Sequence, residues 1–271
     1  MSESHILKTV DRSLHILTLF ESEQPSWGVS ELARRLDLPK SVVQKTLATF
    51  ARRGFLYQED ISRRYRLGPR ILSLARAAEP ELARIAKPLM LKLAEATEET
   101  VKLTVVDGAE TVIVAAVESS QSLRMTGRVG ERNALHRGAS NKLLAAYTPL
   151  NEVRTAVRIA FGTEGRQEQS EDFVRELMAE LQAIREAGYA TSTGELEEGV
   201  KAVAVPVIGH QDRIIACLSV VGPAARMAGE KKQPFLAALQ HTSELISEAL
   251  GWNTRPREGG DAMIVAPTSS Q

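Results

Sequence analysis

Cysteine is almost missing from this chain: Cys217 stands alone among 271 residues. A lone thiol cannot close a disulfide within the chain or furnish a multi-cysteine zinc site, so neither cross-link nor metal is expected, and a reducing compartment is implied. Long apolar runs are missing as well. No uninterrupted stretch approaches the roughly 18 residues that suggest a membrane span. The start, MSESHILKTVDRS, has no basic segment leading into an apolar one, so the chain reads as cytoplasmic with no membrane partner. The phosphate loop GxxxxGK[ST], the metalloprotease HExxH and the nucleophile elbow GxSxG are all absent. No cofactor is expected. Net charge is zero, because 34 basic residues balance 34 acidic ones, so whole-chain electrostatics argue neither for nor against nucleic acid. Residues 1–75 nevertheless carry 12 Lys/Arg against 8 Asp/Glu, and the remainder 22 against 26. The bases sit at the front.

What is present is ordinary globular material, 43% hydrophobic and 25% charged, at a length that favours two domains. Residues 6–21 place Ile6, Val10, Leu14, Leu17 and Phe20 on one helical face. Ser30 is suited to cap a short helix, ELARRLD, with Glu31 near its positive end. After Pro39 a third helix spans roughly Lys40 to Arg53 and stops at Gly54, which tolerates the left-handed conformation that follows a helix. Val43, Leu47 and Phe50 give it an inner face. Its other face carries Lys40, Ser41, Gln44 and Lys45, which combine phosphate-binding charge with an amide able to make two hydrogen bonds to an adenine edge. FLYQ and RRYRL around EDIS then read as a hairpin, with Arg63, Arg64 and Arg66 on or beside it. Together these form a winged helix-turn-helix, and Ser30 joins the candidate DNA-facing residues. The plainer alternative is a small packing domain with a solvated charged surface.

Gly68-Pro69 ends the wing and RILSLARAA reads as a linker helix. Beyond Pro80 a helix over 81–97 precedes two strands around Asp107-Gly108. Helices near 140–147, 150–160 and 171–187 follow, then the strands KAVAVPV and RIIACLSVV and a last helix near 234–250. This pattern is α+β, with a central mixed or antiparallel sheet covered on one side. The boundaries expected are a DNA-binding domain over 1–68, a linker over 69–79, an effector-binding and oligomerisation domain over 80–252, and a disordered tail over 253–271.

VSELARRLDLPKSVVQKTLATFARRGFLYQ, RVGERNALHRGASNKLLAAY and GYATSTGELEEGVKAVAVPVIGHQDRIIACLSVVGP, in this order, resemble the IclR family of bacterial transcription regulators. The resemblance implies a GAF-like effector domain, dimers and possible dimers of dimers. It places effector contacts at the backbone of Ala139 and Ser140 and at Ser192, Ala202 and Ser219. Asn141 stands where the family usually has Gly, Ser192 and Ala202 where some members have an acid and a Cys, and Val221 where some have Ser. Leu123, Met125 and Leu135 are candidate apolar walls. The segment HRGASNKLLAAY opens a helix, whose free N–H groups suit a carboxylate or other acceptor. A small organic acid, aromatic acid or amide is therefore the expected effector. The expected function is a regulator, more readily a repressor than an activator, binding a pseudo-palindromic operator as a homodimer. Two rivals remain: an enzyme using Cys217 with a histidine, disfavoured because that thiol lies inside the apolar run IIACLSV, and a sensor acting by protein contact alone.

Overall fold

The computed structural model describes residues 7–21, 24–77, 80–163, 170–227 and 232–252. They fall into two compact units that divide after residue 79. The tail expected over 253–271 lies outside the described residues.

The first unit is built on α1 (Lys8–Thr18), a 3-10 turn, α2 (Val29–Arg35), α3 (Lys40–Arg52), the hairpin β1 (Leu56–Gln58) and β2 (Tyr65–Leu67), and α4 (Arg70–Ala77). Its core gathers Ile16, Phe20, Trp27, Leu32, Val43, Leu47, Leu56 and Tyr65. Fully burying side chains of this size stabilises by about 1.5–3 kcal/mol each before chain entropy is charged. Helix α3 ends as its sequence demands: Gly54 has φ +78°, Phe55 N–H donates to the Phe50 carbonyl and Gly54 N–H to that of Ala51. That is the paired bonding of a Schellman stop.

Two sequence expectations need correction in this unit. Val10 and Leu14 are exposed while Ile16 is buried, so α1 turns a different face inward and leaves an apolar stripe outside. Helix α2 begins at Val29 with Gly28 as its extended cap, and Ser30 is an exposed residue of the first turn. Glu31 supplies the cap instead, its carboxylate accepting from Gly28 N–H at 3.3 Å.

The second unit runs α5 (Glu81–Thr97), β3 (Thr100–Asp107), β4 (Glu110–Val117), β5 (Arg132–Ala134), α6 (Ala139–Ala146), α7 (Leu150–Thr163), α8 (Ser170–Ala187), β6 (Ala190–Thr193), β7 (Val200–Ile208), β8 (Ile214–Pro223) and α9 (Lys232–Ala249). Six strands form one sheet in the order β5-β4-β3-β8-β7-β6. Every pairing among the described strands is antiparallel. The expected one-sided cover is wrong. Val203, Val205 and Val207 pack with α5 and α9, whereas Ala202 and Ala204 pack with α6, α7 and α8. Residues alternate between faces along a strand, so AVAVPV, residues 202–207, is apolar throughout because both of its faces are buried.

Candidate functional site

On α3, Val43 and Leu47 are buried while Lys40, Ser41, Gln44 and Lys45 are exposed. The packing face thus fixes the helix against the first unit, and the polar residues share the outer surface. The wing arginines do not share one role. Arg64 turns back on its own unit, donating to Ser26 Oγ at 2.9 Å and the Ser26 carbonyl at 2.7 Å. It also pairs with Glu31 at 2.8 Å. Gln24 and the Gly28 N–H, together with Arg64, hold the Glu31 carboxyl below the usual carboxylate range. Arg66 pairs with Glu59 at 3.0 Å. Both stand on or beside the wing, and both guanidinium groups are engaged in holding the hairpin. Arg63, exposed at the turn with φ 55°, has no ion-pair partner among the described residues.

In the second unit a cavity of about 200 Å³ opens between the sheet and the start of α6. An apolar cavity of about 150 Å³ is enough to hold benzene, so this one admits a single-ring molecule or a short chain. Met125, Ala139, Ser140, Asn141, Ser192 and Ala202 line it. Three other expectations fail. Leu123 is 68% exposed and Leu135 is buried in the core, and neither lines the cavity. Ser219 occupies the same sheet face, paired with Lys102 and Ala204, but it is wholly covered and donates to the Lys102 carbonyl at 3.5 Å.

The start of α6 is also less open than expected. Ala139 N–H donates to Ser192 Oγ at 3.0 Å and Gly138 N–H to the Glu195 carboxylate at 2.9 Å. Asn141 is tied through its own amide, accepting from Thr111 Oγ at 2.7 Å and donating to the Arg137 carbonyl at 2.6 Å. The other Glu195 oxygen meets the buried Lys142 ammonium at 2.7 Å, and Lys142 also pairs with Glu180. Two of the helix's orphan donors are therefore satisfied by the chain itself.

Residues that the sequence reading missed complete the wall: Lys102 and Thr104 of β3, Ile113 of β4, Asn133 of β5, and Leu196 and Val200 around the β6–β7 loop. The i, i+2 spacing of Lys102 and Thr104 in VKLTV was the available signal, since it puts both on one strand face.

Cys217 is fully buried, and burial pushes its thiol up to about 12. The side chain of Ser140 beside it lowers the value only in part. The thiolate is the nucleophile, so Cys217 is expected to resist iodoacetamide in the native protein and to react after unfolding, as mass spectrometry would read. Stoichiometric native labelling would contradict the burial. His136, 4% exposed, packs between Phe161 and Phe173 with ring centroids 5.5 and 5.3 Å away. It does not line the cavity.

Comparison with known proteins bears on both units. Residues 9–60 match the IclR helix-turn-helix domain, and residues 75–248 match the C-terminal domain of bacterial transcriptional regulators of the IclR type. The HTH-type transcriptional regulator KdgR of Escherichia coli is 31% identical over 265 residues, covering 94% of this chain and all of that protein. The E. coli HTH-type transcriptional repressor AllR is 24% identical, with 92% of each chain covered. A crystal structure of an IclR transcriptional regulator from Alicyclobacillus acidocaldarius superposes with a TM-score of 0.75 at 25% identity, covering 90% of this chain and 99% of that one.

Proposed function

The chain belongs to the IclR family of bacterial transcriptional regulators, and from that premise we propose that it is a repressor whose hold on its operator is controlled by a compact organic effector. Operator reading is assigned to residues 1–68, connection to 69–79 and sensing to 80–252. The observation that carries the reading is the outer face of α3, where Lys40, Ser41, Gln44 and Lys45 are exposed together opposite a buried Val43 and Leu47. One such helix reads only a few base pairs, so useful affinity calls for two copies on a pseudo-palindrome. The exposed Leu7, Val10 and Leu14 of the first unit, with Leu72 and Leu74 of α4, favour a homodimer, because scattered single apolar residues are ordinary but a stripe of them is not. Pairing of dimers through the sensing units is the further step that the family resemblance suggests. The place of action is the cytoplasm, with the DNA.

The effector, an organic or aromatic acid or an amide, is assigned to the 200 Å³ cavity. It controls DNA binding by preferring one of two states of the dimer, and it shifts their populations only by its difference in affinity for them. A gel-shift titration with DNA from upstream of the protein's own gene is the test. The expected result is a complex of defined sequence that weakens steeply with salt and dissociates when effector is added. Failure to retard any fragment at low salt would overturn the reading.

A further inference from the structure

Several charged groups of the second unit are held in ion pairs among the described residues. Lys142 faces Glu180 and Glu195, Arg226 faces Glu99, and Arg132 faces Asp107 and Glu110. Lys102 is half-buried and lines the cavity, yet its ammonium has no ion-pair partner among the described residues. Its stem is held in place: beside it lies Gly127, where a Cβ would stand 3.3 Å from the Lys102 Cε. Two residues along the same strand, Thr104 is 3% exposed and lines the same cavity. Its hydroxyl makes no hydrogen bond among the described residues. A ligand group that reaches this hydroxyl meets a donor not already committed within the chain.

We propose that Lys102 and Thr104 form the acid-recognition element of the cavity, and that the effector is a monocarboxylic acid whose carboxylate sits on the β3 floor rather than at the start of α6. This rests on the effector site assigned above and narrows its ligand. The donors of Gly138 and Ala139 are already occupied by Glu195 and Ser192, which leaves the neutral Ser140 N–H as the helix-start donor on the cavity and makes the charged strand the stronger anchor. On the strand an incoming carboxylate meets an unpaired ammonium and an unpaired hydroxyl, and bonds from a charged donor are the stronger kind. The remaining charge on the wall selects against more. Glu131 and Glu197 also border the cavity, both are exposed, and neither pairs with Lys102. They oppose a second anionic group, which disfavours dicarboxylates and phosphates. Ile113, Val200, Ala202 and Val221 offer the rest of the molecule an apolar wall.

The test is calorimetry on the full-length protein with matched pairs: benzoate and benzamide, crotonate and crotonamide, nicotinate and nicotinamide, with terephthalate as the doubly charged probe. At least one acid is expected to bind at least tenfold more tightly than its amide and than terephthalate. Lys102→Met, which keeps the stem, should weaken that acid about ten- to a hundredfold and leave the amide unchanged. Lys102→Arg should restore most of the loss, and Thr104→Val should produce a smaller one. Circular dichroism and melting without ligand confirm that each variant is folded. The proposal is overturned if no acid of the set binds, if an amide or terephthalate matches the acid, or if folded Lys102→Met binds the acid as the wild type does. Operator binding without ligand is unaffected by any of these outcomes, so failure of the acid site is distinguishable from failure of the regulator itself.

Discussion

Removing the guanidinium in Arg226→Met is expected to cost the second unit about 3 kcal/mol of unfolding free energy. Glu99 is 2% exposed and is held by two bonds from Arg226, at 2.6 and 2.8 Å. Without them a carboxylate stays enclosed and uncompensated, and losing one partner of such a pair typically costs about 3–5 kcal/mol. Arg226 is itself nearly one-third exposed, at 31%, so the lower end applies. The surroundings give little room for relief: a Cβ on Gly222 would collide with the Glu99 carboxylate, so the neighbouring strand closes over it. Urea unfolding followed by circular dichroism measures the loss. Adding Glu99→Gln to the variant should recover part of it, since the stranded charge is then gone. A loss below about 1 kcal/mol, the level of an exposed pair, would mean that water reaches Glu99 freely. The change should reach the cavity beside α6 too, because Arg226 also donates to the Leu123 carbonyl at 2.8 Å. Two residues on, the Met125 carbonyl is held by Thr100 Oγ at 2.5 Å, and Met125 lines the cavity.

The second large effect is expected on DNA. Gln44→Ala should erase the preference for one base in each half-site, at about 1–3 kcal/mol per bidentate contact, and the proposed homodimer, reading two half-sites, would lose it twice. Lys45→Ala should instead weaken binding to every sequence and flatten the salt dependence by about one ion per contact. Because Gln44 and Lys45 are both exposed on α3, neither change should shift the melting temperature much. Fluorescence anisotropy on operator and scrambled duplexes at three salt concentrations separates the two behaviours. If both variants bound the operator like the wild type, α3 would not be the reading helix.

Much of the architecture was legible because it is carried by periodicity. The 3.6-residue spacing of Val43 and Leu47 found α3 and its outer face, and Asp107-Gly108 marked the turn between β3 and β4. What stayed hidden depended on contacts from far along the chain. Helix α1 has apolar residues on two faces, and only the position of α2 and the hairpin decides that Ile16 goes inside and Val10 outside. Arg64 looked like a free cation of the wing, but Ser26 and Glu31, 38 and 33 residues away, claim it. Leu123 lies in a loop, where no period reports direction, whereas Ser219 was placed on the correct face and lost only to depth. The two-sided cover of the sheet was readable after all: unbroken apolar runs such as AVAVPV belong to strands with no wet face.

The cavity wall is set on strands whose register is locked by their neighbours: Ala202 opposite Val221, and both pointing to the α6 side. A side chain changed there alters what the wall offers without moving the backbone that presents it. Under the proposed function, Ala202 and Val221, which face each other across β7 and β8, together tune ligand preference, separate in the chain from α3. Exchanging them one at a time for serine, asparagine or cysteine would yield a family of reporters that answer to different small molecules through an unaltered operator. Under the proposed function, the same arrangement gives natural variation a short path: a new effector is reached by single substitutions in the wall, with the residues of α3 unchanged.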